Sequence, residues 1–170
     1  MLNQEETYNY LNKFAKYVIQ QSRSNLTRKN KNVNKKLYDS LSSEIEVGKN
    51  SFRLDFLMED YGVFQDKGVS GTERKYDTPF SYKSKMPPAK PLTDWVSKRG
   101  FQFRKPDGKF MSYKQTSFLI RNSIFKKGIK PSLFFTKPFE AAFENLPDEL
   151  VEAFGLDIEK LMEYSLKDIK

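Results

Sequence analysis

The chain has 170 residues, 38% hydrophobic and 15% aromatic, a formal charge of +8, and neither cysteine nor histidine. That length suits one domain and can bury roughly 70% of its unfolded surface without a metal or disulfide as a staple. The missing side chains exclude disulfides, thiolate zinc sites, thiol nucleophiles and imidazole bases, and with them most transition-metal sites, while carboxylates can still bind magnesium or calcium.

The first residues have no basic segment leading into an unbroken apolar run, and no stretch approaches the ~20 apolar residues of a membrane span. A soluble fold, cytoplasmic synthesis and no membrane partner are therefore expected. Tyr8, Leu11, Phe14 or Ala15, Val18 and Ile19 recur at steps of three and four, which predicts a helix over about residues 4–26. From Arg23 to Lys36 there are six positive charges and no acid, and the asparagines among them weaken any continued helix. Arg23, Arg28, Lys29, Lys35 and Lys36 form a candidate basic patch near DNA.

Ile45 and Val47, then Phe52, Leu54 and Phe56, alternate with polar groups around Gly48, Lys49 and Asn50, which predicts a hairpin with one buried face. Asp55 falls on its polar face. Leu57, Tyr61 and Phe64 or Gln65 predict a short helix ending near Gly68. Residues 69–91 carry Gly71, Pro79 and the Pro87-Pro88 pair among scattered apolar groups, and read as a long loop, mobile alone and ordered against a neighbour.

Pro91, Trp95, Val96 and Gly100 mark a compact helix. A Pro-Asp-Gly turn at 106–108 is a candidate ribbon tip. Ser112 with Gln115 three residues on, and Gly128 beyond, predict a capped helix over about 112–127. Two more helices follow, near 138–145 and from Pro147 through Leu166, the second a candidate for interruption at Gly155. Residues 140–170 hold nine acids against three lysines, net −6, which leaves +14 on the rest. A basic body with an acidic end is compatible with nucleic-acid binding, with end-to-body pairing in an assembly, or with a plain solvated surface.

Asp55, Glu59, Asp60 and Asp66 are the densest mid-chain carboxylates. Adjacent helical residues point ~100° apart, so Glu59 and Asp60 fit surface or capping roles better than paired catalysis. "KGVSGTERK" lacks the lysine spacing of a phosphate loop. No catalytic, cofactor or metal residue is assigned. "RKYDTPFSYKSK" and "FQFRKPDGKF" interleave cations with aromatics, a pattern shared by nucleic-acid ribbons and protein interfaces.

Three stretches carry a likeness: "EDYGVFQDKGVSG" (59–71), "MPPAKPLTDWVSKRG" (86–100) and "FLIRNSIFKKGIKPSLFFTKPFEAAF" (118–143). In order and spacing they resemble the neck and tail-completion (head-tail joining) proteins of tailed bacteriophages, and in overall style the ring proteins of crAss-like phages. The likeness spans roughly residues 1–145, so residues 1–145 are expected as a ring-forming domain and 146–170 as an acidic helical extension. It implies an α/β (α+β) fold with helices packed on a small antiparallel sheet. The long projecting loop and the acidic C-terminal helices are read from the residues themselves, and the acidic extension after Asn145 departs from the family's pattern. The likeness also implies a non-enzymatic virion protein, made in the bacterial host. Its partners would be copies of itself in a closed ring of twelve or six, flanking portal, neck and tail proteins, and DNA at close range. Tyr61, Phe64, Phe80, Met86, Trp95 and Phe134 are the candidate subunit-interface residues. The alternative is a basic nucleic-acid-binding protein acting outside any particle.

Overall fold

The computed structural model describes residues 5–31, 34–47 and 51–167. The expected turn at Gly48, Lys49 and Asn50 lies outside the described residues. The fold is mixed α/β, with helices packed against a two-stranded antiparallel sheet. The chain divides into two compact units: unit 1 is 1–28, 36–59 and 134–170, and unit 2 is 29–35 and 60–133. Asn30, Lys35 and Leu133, the described non-glycine residues with positive φ, lie beside the points where the chain passes between units.

Unit 1 is built on α1 (Glu5–Arg28), whose apolar stripe buries Leu11, Phe14, Ala15, Val18 and Leu26. The helix runs two residues past the expected end, and Arg28 sits favourably in its last turn. A short α2 (Lys36–Ser40) leads into β1 (Ser42–Val47) and β2 (Phe52–Leu57). Their register places Ile45 opposite Leu54 and Ser43 opposite Phe56, as the alternation requires. On the other face, Arg53 pairs with Asp55 at 2.8 Å, and Asp55's hydrogen bond and charge, with Glu46 adding to them, hold the guanidinium pKa above its usual value.

Leu26, Leu37, Leu41 and Phe134 form a fully buried cluster, with Ile19, Tyr38, Met58 and Phe135 against it. Phe14, Phe56 and Phe139 meet edge to face at 5.9–6.3 Å between centroids, a geometry aromatic pairs favour. Phe139 belongs to α6 (Thr136–Phe143), which begins two residues earlier than expected because Pro138 is tolerated in a first turn. The last helix, α7 (Leu146–Lys167), continues through Gly155 and packs on α1. Glycine there costs only ~1 kcal/mol against alanine, too little to break a docked helix.

The docking of α7 has a polar centre. Asp157, 1% exposed, accepts hydrogen bonds from the Glu6 and Thr7 backbone N–H groups at 3.0 Å and from Thr7 Oγ1 at 2.7 Å. A carboxylate from one helix thus satisfies the open N-terminal donors of another, where the helix dipole also favours a negative charge. Tyr10 adds a contact to Glu149. Burial first, then the hydrogen bond and negative charge of Glu149, push the Tyr10 pKa up to about 12.

Unit 2 contains α3 (Gly62–Lys67), α4 (Ala89–Arg99) and α5 (Tyr113–Lys127). Gly100 ends α4 in the left-handed region, at φ 63°. Ser112 and Gln115 form a reciprocal capping box on α5. The two helices pack through the fully buried Val96 and a 2.9 Å hydrogen bond between Thr93 and Ser117.

Of residues 69–91, expected as a projecting loop, 69–82 are bound back onto their own unit and 89–91 already belong to α4. Val69 and Ile129 exchange backbone hydrogen bonds at 2.9 and 2.8 Å. The Thr72 N–H donates to Phe125 and the Glu73 N–H to Lys126, while Ser70 exchanges bonds with Phe80 and Tyr82. Glycine makes this approach possible. A Cβ on Gly71 would lie 2.0 Å from the Lys126 carbonyl oxygen, and one on Gly128, at φ 75°, 2.1 Å from that of Val69. The segment needs no apolar core of its own, because its backbone groups find partners at the end of α5.

Candidate functional site

The expected interface residues do not share one environment. Tyr61, Phe64 and Trp95 are exposed in unit 2, while Phe80 and Met86 are half-buried there. Phe64 packs edge-on to Phe80 at 4.8 Å, and the Arg99 guanidinium sits 5.6 Å from the centre of the Trp95 ring. Phe134 is different. It is 0% exposed inside unit 1, and a side chain sealed in that cluster cannot reach a neighbouring subunit.

The basic residues are also divided. Arg23 donates to the Tyr38 and Leu41 carbonyls at 3.0 Å and covers the Tyr38 ring at 5.2 Å, so its charge fastens α1 to α2 and to the residue that follows it. Arg28 donates to Asn25 at 2.8 Å, and Lys29 Nζ donates to the Ser132 carbonyl. Lys35 and Lys36 are exposed. Arg23 and Arg28 also line an open cleft of about 850 Å³ in unit 1 with Lys16 and Tyr38.

The segment 60–71 is a packing joint inside unit 2. Gly68, at φ 75°, brings the chain where a Cβ would stand 2.6 Å from the Ile129 carbonyl oxygen. The Ser132 and Leu133 N–H groups donate to the Asp66 carbonyl at 3.0 and 2.9 Å, and Ser132 Oγ donates to that of Gln65 at 2.5 Å. Among the described residues, no group of three or more carboxylates is arranged to hold a metal ion. No helix there is long and apolar enough to cross a membrane.

Two surfaces were not singled out from the sequence, although the 101–110 ribbon that walls the first of them was. One is a groove in unit 2 of about 490 Å³, walled by Phe103, Arg104 and Met111 on one side and Leu119, Ile120 and Ile124 on the other. The first wall is a tight ribbon. Arg104 pairs with Phe110, Lys105 and Lys109 share a 2.8 Å hydrogen bond, and Gly108 turns the tip at φ 80°. The ribbon is tied to α5 where the Phe103 N–H donates to Thr116 Oγ1 at 3.3 Å. Arg104 lies 4.3 Å over the Phe110 ring. Phe110 and Phe118 are 57% and 58% exposed. The signal was present in Phe118-Leu119-Ile120: three consecutive helical residues span ~200°, so they cannot all face one core.

The second surface is the outer face of α7. Leu146, Leu150, Ala153 and Asp157 are its more buried positions. Pro147, Val151, Phe154 and Ile158, spaced by four, three and four, form an exposed stripe, with Val151 72% exposed. Asp148, Glu152 and Glu159 run along one edge of that stripe, all exposed.

The charge asymmetry follows the units. Unit 2 carries nineteen Lys and Arg against six Asp and Glu, net +13; unit 1 carries eleven against sixteen, net −5. In comparisons with known proteins, no family model, no curated protein and no solved structure matches this chain.

Proposed function

We propose that the chain is a structural subunit of the head-to-tail connection of a tailed phage, forming a closed ring around the DNA channel between portal-side and tail-side proteins. In this role it is made in the bacterial host and carried in the virion neck, without a cofactor or a reaction of its own. The resemblance of residues 59–71, 86–100 and 118–143 supports the reading and favours twelve or six copies. The observation that carries it is the pairing of exposed apolar surface with opposed charge: a basic unit with exposed Phe103, Phe110, Phe118 and Leu119, and an acidic unit with an apolar helix face. Surfaces of that kind are normally covered in an assembly.

Symmetry-resolved imaging of particles purified from cells that make the chain tests it, and should place one ring of this protein between portal and tail. A chain absent from particles, or cleaving DNA with magnesium in a way lost on changing Asp60 or Asp66, would remove the reading. A second reading, a nucleic-acid-binding protein acting outside a particle, is favoured by the ribbon that displays Phe101, Phe103 and Phe110 among Arg104, Lys105 and Lys109. It predicts binding that weakens steeply with salt as phosphate contacts are lost. Binding without particle association would select it.

A further inference from the structure

The groove of unit 2 and the outer face of α7 have matching properties. The groove is an open apolar channel with Arg104 in its wall and Lys105 and Lys109 on the same ribbon, in a unit of net +13. The helix face is an apolar stripe of Pro147, Val151, Phe154 and Ile158 edged by Asp148, Glu152 and Glu159, in a unit of net −5. From residue 147 to 158 the stripe extends ~17 Å at helical rise, which carries its four apolar anchors on one line. A short amphipathic helix with anchors at these spacings is a standard occupant of an apolar groove.

We propose that α7 of one copy lays this stripe into the ribbon–α5 groove of unit 2 of a second copy, so that copies join head to tail. The occupant is a second copy because charge selects it. Groove against groove brings two basic units together, and stripe against stripe brings two acidic edges together, whereas stripe into groove opposes the signs. The contact is heterologous, so each copy keeps one groove and one stripe free for the next, and the chain of contacts closes into a ring or continues as a filament. Resting on the assembly reading above, it names the surfaces by which that assembly forms.

The absence of cysteine makes the test direct, because any disulfide formed comes from the introduced residues. The Val151→Cys and Leu119→Cys proteins are kept reduced, then oxidised in parallel, each alone and as an equimolar mixture. The mixture should give linked dimers that neither protein gives alone. Val151→Asp and Leu119→Asp, both at exposed positions, should each weaken self-association by about tenfold or more, with unchanged circular dichroism. Self-association that survives both substitutions, or a mixture that does not cross-link while the protein still assembles, overturns the inference and leaves the neck reading standing. A doubly substituted chain that links only within itself at high dilution also overturns it. So does a chain that stays monomeric and binds single-stranded DNA through Leu119. Absence of the chain from particles, with the cross-link present, removes the neck reading and leaves the head-to-tail contact in place.

Discussion

Among the described residues, nine of the eleven buried hydrophobics belong to unit 1, and only Val69 and Val96 to unit 2. The exposed large hydrophobics divide almost evenly, with Tyr8, Leu57 and Val151 in one unit and Trp95, Phe110 and Phe118 in the other. Unit 2 therefore has apolar surface without a matching apolar core. It is held instead by backbone hydrogen bonds between 65–73 and 125–133, and by buried small polar side chains such as Ser70, Thr116 and Ser132. Each such bond contributes only ~1 kcal/mol net, so a unit fastened this way gains proportionally more from a partner that covers its apolar face. Unit 1 is closer to self-sufficient.

The largest expected effect breaks the apolar side of that comparison. Phe134→Ala empties the centre of the Leu26–Leu37–Leu41 cluster and should cost about 3–5 kcal/mol in denaturant unfolding. Protection from amide exchange should be lost first in α1 and α2. The polar side is broken at a glycine. Gly71→Ala drives a Cβ into the Lys126 carbonyl, and about 3 kcal/mol or more of destabilisation should follow, a size reserved for direct steric and core damage. Exchange should rise over residues 69–82 and 125–133 while α1 keeps its protection. A neutral Gly71→Ala would mean that side-chain packing, not backbone pairing, holds unit 2.

A smaller effect is expected at the α1–α7 joint. Asp157→Ala leaves two backbone N–H groups and a hydroxyl without their acceptor, for about 2 kcal/mol of stability. Asp157→Asn should recover part of it. Least costly is the neighbouring Tyr10–Glu149 contact, which sharpens the picture through pH. Because the folded Tyr10 pKa is raised to about 12, its contribution is fully present below the ordinary tyrosine pKa near 10 and is lost as pH climbs through 12. Glu149→Gln should lower the folded Tyr10 pKa in an ultraviolet titration, and an unmoved titration curve would mean burial alone sets it.

Local signals in the sequence were strong where one residue does one job. Ser112 and Gln115 form the capping box, Gly100 ends α4, and the alternation of Phe52, Leu54 and Phe56 sets the strand that pairs with β1. Division into two units was not legible, because the chain passes between them near residues 28, 35, 59 and 133 without a proline- or serine-rich linker to mark it. Phe134 and Phe135 look alike in the sequence, yet only the first is completely sealed in the core, since tertiary packing decides which aromatic turns inward. Arg23 was legible as a cation but not as a fastener, because the Tyr38 and Leu41 carbonyls it binds lie fifteen and eighteen residues away. The α7 stripe was hidden by its acids. Only the docked face of α7 on α1 shows which of its apolar residues remain outside.

Amide hydrogen exchange on the whole chain, measured across a wide range of protein concentration, tests most directly the proposal that a neighbour completes unit 2. Protection should rise on assembly over the ribbon at 101–111, along 118–124 and at the exposed face of 147–158, while the β1–β2 hairpin of unit 1 stays unchanged. Equal protection at all concentrations in those segments, or a gain confined to the hairpin, would contradict it.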